Sequence, residues 1–348
     1  MKKRYTKLST RYQGSKRRLL HWLEEIFSAI NFKTCLDLFG GSGSVSFLLK
    51  TLNKSVTFND YLKFNTISAK AFIQNDYDVL TDNEFDLIFS KHEHPTVVAD
   101  LYKNIYFTND ENILIDNLVY NIISNPEIKL SDFKKSIALH SLFQALLMKR
   151  PFNLFHRANL NLRTNNVTRK FGNKKTWEIP IKDLMDRIRK EINNLVFSNK
   201  KRHYISNLDA KCVVGDFDLV YIDPPYFSEK TKSSQNYFEY YHFLEGLVDY
   251  ANWSERIDFS RKHKPLKDIP ASFTRKTILQ DFEVIFNNFV DSILVISYKS
   301  PGYPSIEDLT DLLNISHRDL NIYSKNHRYS LNKNNGHYNE NVFVAYPK

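Results

Sequence analysis

The sequence predicts an α/β fold: a parallel sheet with helices on its faces, interrupted by a mostly helical insertion of about a hundred residues. Three observations carry this reading. Three of the nine glycines, Gly40, Gly41 and Gly43, sit between an apolar run and a helical pattern in KTCLDLFGGSGSVSFLLKTL. A second strand-then-helix unit follows at once in KSVTFNDYLKFNTISAKAFI. The alternation then stops near Asn75 and resumes after about residue 180.

The first strand is expected to end near Phe39, before the glycine turn, with a helix from Ser44. The second runs to Phe58, with Asp60 at its end. From Asn75 to Ile179 the chain is polar, aromatic and mainly helical in period, and FKKSIALHSLFQALLMKR reads as one helix stopped by Pro151. RPFNLFHRANLNLRTNNVTRKFGNKKTWEIP reads as a loop or twisted hairpin. IKDLMDRIRKEINNLVFSN is a helix, and KRHYISNLDAKCVVGDFDLVYIDPPY holds two strands. Beyond it lie two helices, the strand SILVISYKS, the helix SIEDLTDLLN, and the strands RDLNIYSKN and NENVFVAYP.

A formal charge of +10 over 348 residues, spread along the chain, favours a polyanion as partner. The two cysteines, Cys35 and Cys212, lack zinc spacing and are expected to be reduced and packed in the core. No apolar stretch reaches the ~18 residues needed to span a bilayer. The basic start, MKKRYTKLSTRYQGSK, has no apolar core after it and is not a secretory signal, so a cytoplasmic protein is expected.

Two constellations carry chemistry. DLFGGSG places a glycine turn at the carboxyl end of a strand, where open α/β sheets bind ligands, and Asp60 ends the next strand, where ribose hydroxyls are held. By themselves they suit NAD, FAD or S-adenosylmethionine. A second glycine turn, RYQGSK, offers Lys16 to a cofactor carboxylate. The second constellation is YIDPPYF: the prolines end the strand ladder and fix Asp223 in a rigid turn beside Tyr226. A rigid carboxylate, the Pro224 carbonyl and a flat ring suit a planar substrate bearing an amino group. Adenine's amino nitrogen is a poor nucleophile, because its lone pair is delocalised into the ring. Two acceptors on its protons stabilise the charge that develops during attack, Tyr226 can stack on the base, and Phe227 walls the pocket. A base in a duplex must flip out to reach such a site.

With RYQGSK, DLFGGSG, FND and DPPY in this order, the sequence resembles the Dam-type DNA adenine methyltransferases in their alpha arrangement. The resemblance implies a Rossmann-like S-adenosylmethionine-dependent methyltransferase sheet: residues 1–74 and 181–348 form the catalytic domain, and 75–180 a target-recognition insertion. Implied cofactor contacts are Tyr12 and Lys16, then Asp37, Phe39, Gly41 and Gly43 of the loop, Asp60, Asn207 and Asp209 of SNLDA, and Asp223. Asp223, Pro224 and Tyr226 are the implied catalytic group. KRPFNLFHRANLNLR is similar to the family's recognition segment, with Pro151 and Phe152 departing from its usual aromatic-glycine wording. Expected DNA contacts are Arg11, Arg150, Phe152, Asn153, Arg157, Arg169 and Lys170. No metal is required. The implied partner is double-stranded DNA, with a restriction endonuclease as companion and a monomeric enzyme. An RNA adenine methyltransferase, or a silent nucleic-acid-binding module, is the rival reading.

Overall fold

The computed structural model describes residues 4–165, 174–227, 237–267, 273–315, 319–327 and 338–347. Seven strands form one sheet: β1 (Thr34–Asp37), β2 (Ser55–Asn59), β3 (Tyr204–Ser206), β4 (Leu219–Ile222), β5 (Ile293–Ser300), β6 (Asp319–His327) and β7 (Tyr338–Tyr346), in the order β3-β2-β1-β4-β5-β7-β6. The first five strands pair in parallel, and β7 runs antiparallel between β5 and β6. This is a Rossmann-like α/β fold. The helices are α1 (Leu20–Ser28), α2 (Ser44–Thr51), α3 (Lys63–Ala69), α4 (Asp82–Ile88), α5 (Val97–Leu101), α6 (Asn109–Ile123), α7 (Asp132–Met148), α8 (Lys174–Glu178), α9 (Ile181–Leu195), α10 (Tyr237–Val248), α11 (Ile278–Asn288) and α12 (Ile306–Ile315).

Each strand's pleat divides its side chains between two cores. Leu219 and Tyr221 of β4 join a core with α1, α2, α3, α7, α9 and α10, whereas Val220 and Ile222 face α11 and α12. Burial on both faces is why β4 reads as an unbroken apolar run. β1 lies between β2 and β4, so crossovers diverge there and leave a crevice at the carboxyl ends of β1 and β4. Register aligns Asp37 with Tyr221, two residues before Asp223.

Local chemistry starts the helices of the inserted stretch. Thr81 and Thr108 open α4 and α6 with capping boxes: each hydroxyl accepts the N–H of Glu84 or Glu111, whose carboxylate accepts the cap's own N–H. Among its described residues, 75–180 contains helices and no strand, and residues 154–165 after Pro151 run as loop and turns. α7 packs on α3 and α9, and its apolar side chains belong to the same core as the sheet. Cys35 is buried on β1 as expected, but Cys212 is exposed. The reason is its place on a short 3-10 turn, Ala210–Cys212, in the surface connection from β3 to β4.

Gly246 of α10 is dictated by packing. A Cβ there would lie 1.9 Å from Cε2 of Trp253, a fully buried ring flanked by Tyr102 and Phe243, each at 5.2 Å. Gly246→Ala gains about 1 kcal/mol of helix propensity and loses about 1–3 kcal/mol or more to overpacking. The expected outcome is a lower thermal midpoint; a raised midpoint would show that Trp253 moves aside freely.

Candidate active site

The glycine turn is held open from below. Gly41 and Gly43 take left-handed backbone conformations, φ 49° and 70°, that strain other residues. The Gly41 N–H donates to Asp60 Oδ2 at 2.7 Å and the Leu62 N–H to Asp60 Oδ1 at 2.8 Å. Asp60 thus fastens the loop to the start of α3, and burial lifts its carboxyl to about 6. Asp37, at the end of β1, accepts the Ser46 hydroxyl through Oδ2 at 2.6 Å. Its Oδ1 is buried without a hydrogen-bond partner, and burial raises the carboxyl to about 7.

These groups wall a cavity of about 230 Å³ that runs from Tyr12, Phe39, Gly41 and Asp60 to Asp209, Asp223, Pro224 and Tyr226. Both constellations of the sequence therefore open into one space. The RYQGSK turn closes it from above. Tyr12 stacks on Tyr241 at 4.8 Å and 9° and on Tyr237 at 5.6 Å and 13°, and the Gln13 N–H donates to the Tyr241 hydroxyl at 2.8 Å.

At the far end, Lys16 Nζ donates to Asp223 Oδ1 at 2.6 Å and to the Tyr226 hydroxyl. Glu340 Oε1, from β7, lies 3.3 Å from the same ammonium. The Tyr226 hydroxyl lies 2.5 Å from Asp223 Oδ1 and 3.1 Å from Glu340 Oε1. One ammonium is thus shared between two carboxylates. Burial lifts the Asp223 carboxyl above the usual range; Lys16 opposes this and Glu340 adds to it. Burial alone would lower Lys16, but the two carboxylates outweigh it and hold the ammonium above its ordinary value.

A match to the D12 class N6 adenine-specific DNA methyltransferase family spans residues 12–264. The chain belongs to that family. It is an adenine-specific DNA methyltransferase, and the family's chemistry requires a methyl donor. The chain is also similar to Type II methyltransferase M2.HphI of Haemophilus parahaemolyticus, 26% identical with 92% of this chain and 91% of that protein covered. Modification methylase StsI of Streptococcus sanguinis is 25% identical, covering 87% of this chain and 46% of that protein. Type II methyltransferase M.NlaIII of Neisseria lactamica is 22% identical, with 86% of each covered. Among the described residues no helix is long and apolar enough to cross a membrane.

In this methyltransferase several of the expected residues have partners within the chain. Lys16, on the cavity wall, meets Asp223 and Glu340. Asn207 does not line the cavity; its amide donates to the carbonyls of Asp60 at 2.7 Å and Tyr61 at 2.8 Å and so fixes the backbone beneath it. Gly43 also stays off the cavity wall and serves to start α2. Arg150 is not a DNA contact in this arrangement. It is 1% exposed, lies over the Tyr106 ring at 4.4 Å, and donates to the carbonyls of Tyr106 at 3.3 Å and Asn159 at 3.2 Å. Arg163 is likewise spent on a two-bond ion pair with Glu111, and Phe155 is buried against Phe243 at 4.8 Å.

Arg11 and Arg157 are exposed. Phe152 is 57% exposed, and it and Asn153 are held at φ 58° and 57°, a strained pair of the kind found at functional turns. The Phe155 N–H donates to the Tyr240 carbonyl at 2.9 Å, which pins this turn to α10, whose Tyr237 and Phe238 line the cavity. Arg169 and Lys170 lie outside the described residues. Sequence reasoning missed the hydroxyls of Ser15, Ser42 and Ser44, which gather within 2.8–3.3 Å of one another where the two glycine turns meet. Their signal was present, since each serine adjoins a glycine turn. Glu340 and Ser297 were missed with no local signal.

Arg150→Ala is expected to lower stability by about 3 kcal/mol while leaving the salt slope of DNA binding unchanged. Equilibrium unfolding and a salt titration of DNA affinity check this together. A shallower slope at wild-type stability would restore Arg150 to the DNA surface.

Proposed function

We propose that the enzyme moves a methyl group from S-adenosylmethionine to N6 of an adenine flipped out of duplex DNA. The observation that supports this best is the single cavity joining the glycine loop to Asp223 and Pro224. Its residues fit the donor. The orphaned Oδ1 of Asp37 calls for a cationic or N–H partner, as an amino acid ammonium would supply. The Ser15, Ser42 and Ser44 hydroxyls suit a carboxylate, since Lys16 is engaged elsewhere. Asp60 and Asp209 are the acceptors for ribose and base, with Tyr12 and Phe39 as apolar walls. When bound, S-adenosylmethionine supplies a methyl on a positively charged sulfur, and the carbon–sulfur electron pair returns to sulfur as the nitrogen–carbon bond forms.

The chain's own groups then do the positioning. Asp223 and the Pro224 carbonyl accept the two amino protons and stabilise the positive charge growing on N6. Tyr226 packs edge-on against Tyr298 at 5.3 Å, so its ring is held rigidly at the pocket wall. The proton surplus on N6 is held at Asp223 until it leaves to solvent. Outside the pocket, Phe152 fills the gap left by the flipped base, Asn153 and Arg157 read base edges, and Arg11, Arg169 and Lys170 meet phosphates. In this reading the enzyme acts as a monomer, with the donor-binding and amino-accepting residues lining one cavity of one chain. The relatives' names, modification methylase and Type II methyltransferase, support a role as the modification half of a restriction-modification pair.

Labelled S-adenosylmethionine offered in parallel to DNA, RNA and protein tests the reading. Label is expected in DNA as N6-methyladenine, and Asp223→Ala is expected to bind the donor while losing transfer. Turnover of Asp223→Ala within about threefold of wild type would remove Asp223 from the transition state, and label in RNA alone would make the enzyme an RNA methyltransferase.

Arg157→Ala is expected to cost about 1–3 kcal/mol on the correct site and to flatten discrimination against single-base variants. Competition binding with cognate and near-cognate duplexes checks it. An intact specificity ratio would reassign Arg157 to the backbone.

A further inference from the structure

Oδ1 of Asp223 cannot serve adenine while its pairing is as observed. It already accepts from Lys16 at 2.6 Å and lies 2.5 Å from the Tyr226 hydroxyl, so an amino proton must compete with both. A second acceptor stands within reach of the same two donors. Glu340 Oε1 is 3.3 Å from Lys16 Nζ and 3.1 Å from the Tyr226 hydroxyl. We propose that Glu340 is a positioning residue for methyl transfer: as the adenine amino group enters, it takes over the Lys16 ammonium and the Tyr226 hydroxyl and frees Oδ1 of Asp223 to accept. This rests on the reading of Asp223 as the amino acceptor.

Three features suit Glu340 to this role. It is fully buried on β7, a strand paired on both sides, so its carboxylate is rigid. The Ser297 hydroxyl on β5 donates to the same Oε1 at 2.6 Å and orients it. A buried carboxylate is costly unless it is paired, and Lys16 supplies the charge. Lys299 and Lys325 stand at its cross-strand positions on β5 and β6, and Tyr221 on β4 feels its field. The charge balance also fits. Asp223, Glu340 and Lys16 together carry one net negative charge before and after the hand-over, matching the positive charge that develops on N6. With Glu340 neutral, Lys16 has Asp223 as its remaining carboxylate in the network and stays on it.

Glu340→Gln, Ser297→Ala and Asp223→Ala, assayed with labelled donor on enzymatically amplified, unmethylated genomic DNA, test the proposal. Glu340→Gln is expected to bind S-adenosylmethionine as wild type does but to lose about 100-fold in single-turnover transfer. Because Glu340 raises the Asp223 carboxyl, its loss should move the acid limb of kcat/KM to lower pH, a shift that a purely structural role would not produce. Ser297→Ala, which leaves the charge in place, should lose less and keep the limb where it is. Wild-type transfer with an unmoved limb in Glu340→Gln, or loss of donor binding in it, would overturn the proposal. Should Glu340→Gln fail to fold, wild-type transfer in Ser297→Ala would overturn it as well. If Asp223→Ala turned over normally, the catalytic reading beneath the proposal would fail; a dead Asp223→Ala beside a wild-type Glu340→Gln would refute the hand-over alone.

Discussion

A carboxylate that accepts an amino proton during attack must be rigid and shielded from water, and a carboxylate shielded from water must be paired. Asp223 meets the first demand through the prolines that follow it and through β4, buried on both faces. It meets the second through Lys16, which reaches it from the RYQGSK turn more than two hundred residues earlier in the chain. That turn therefore cannot be loose. The stack of Tyr12 on Tyr237 and Tyr241 and the bond from the Gln13 N–H tie it to α10. The same stack roofs the cavity, so pairing the acid and closing the pocket are one structural event.

α10 also joins the catalytic half to the inserted stretch. Tyr237 and Phe238 at its start line the cavity, and the Tyr240 carbonyl holds the strained turn at Phe152 and Asn153. Phe155 then stacks on Phe243 one turn further along. A displacement of the Phe152 turn by DNA would act on the helix that bears the cavity wall. The helices of the insertion share the sheet's core, which gives the turn a rigid base.

Much of this was legible in the sequence, for physical reasons that differ by element. The strands and helices of the catalytic half announce themselves by period and by turn residues, and both glycine turns and the DPPY step are local. Long-range pairing is not. Nothing in NENVFVAYP marks Glu340 as a buried neighbour of Tyr226, 114 residues earlier, because a run of three polar residues at the start of a strand usually meets water. Arg150 and Arg163 sit in the same basic, aromatic stretch of sequence as Arg157. Only the fold separates them: Arg150 lies over Tyr106, and Arg163 meets Glu111, which already caps α6. Cys212 misled because in its apolar stretch, KCVVG, only Val213 turns into the core while Cys212 and Val214 face outward.

The account stands on the claim that this cavity methylates the amino group of adenine in DNA at a defined sequence. Single-molecule sequencing of DNA from a host without adenine methylation, expressing the protein, reads modified adenine and both modified cytosines at once. The account predicts N6-methyladenine concentrated at one short sequence motif and absent from the same host without the protein. Methyl groups on cytosine, or on adenines scattered without regard to sequence, would contradict it.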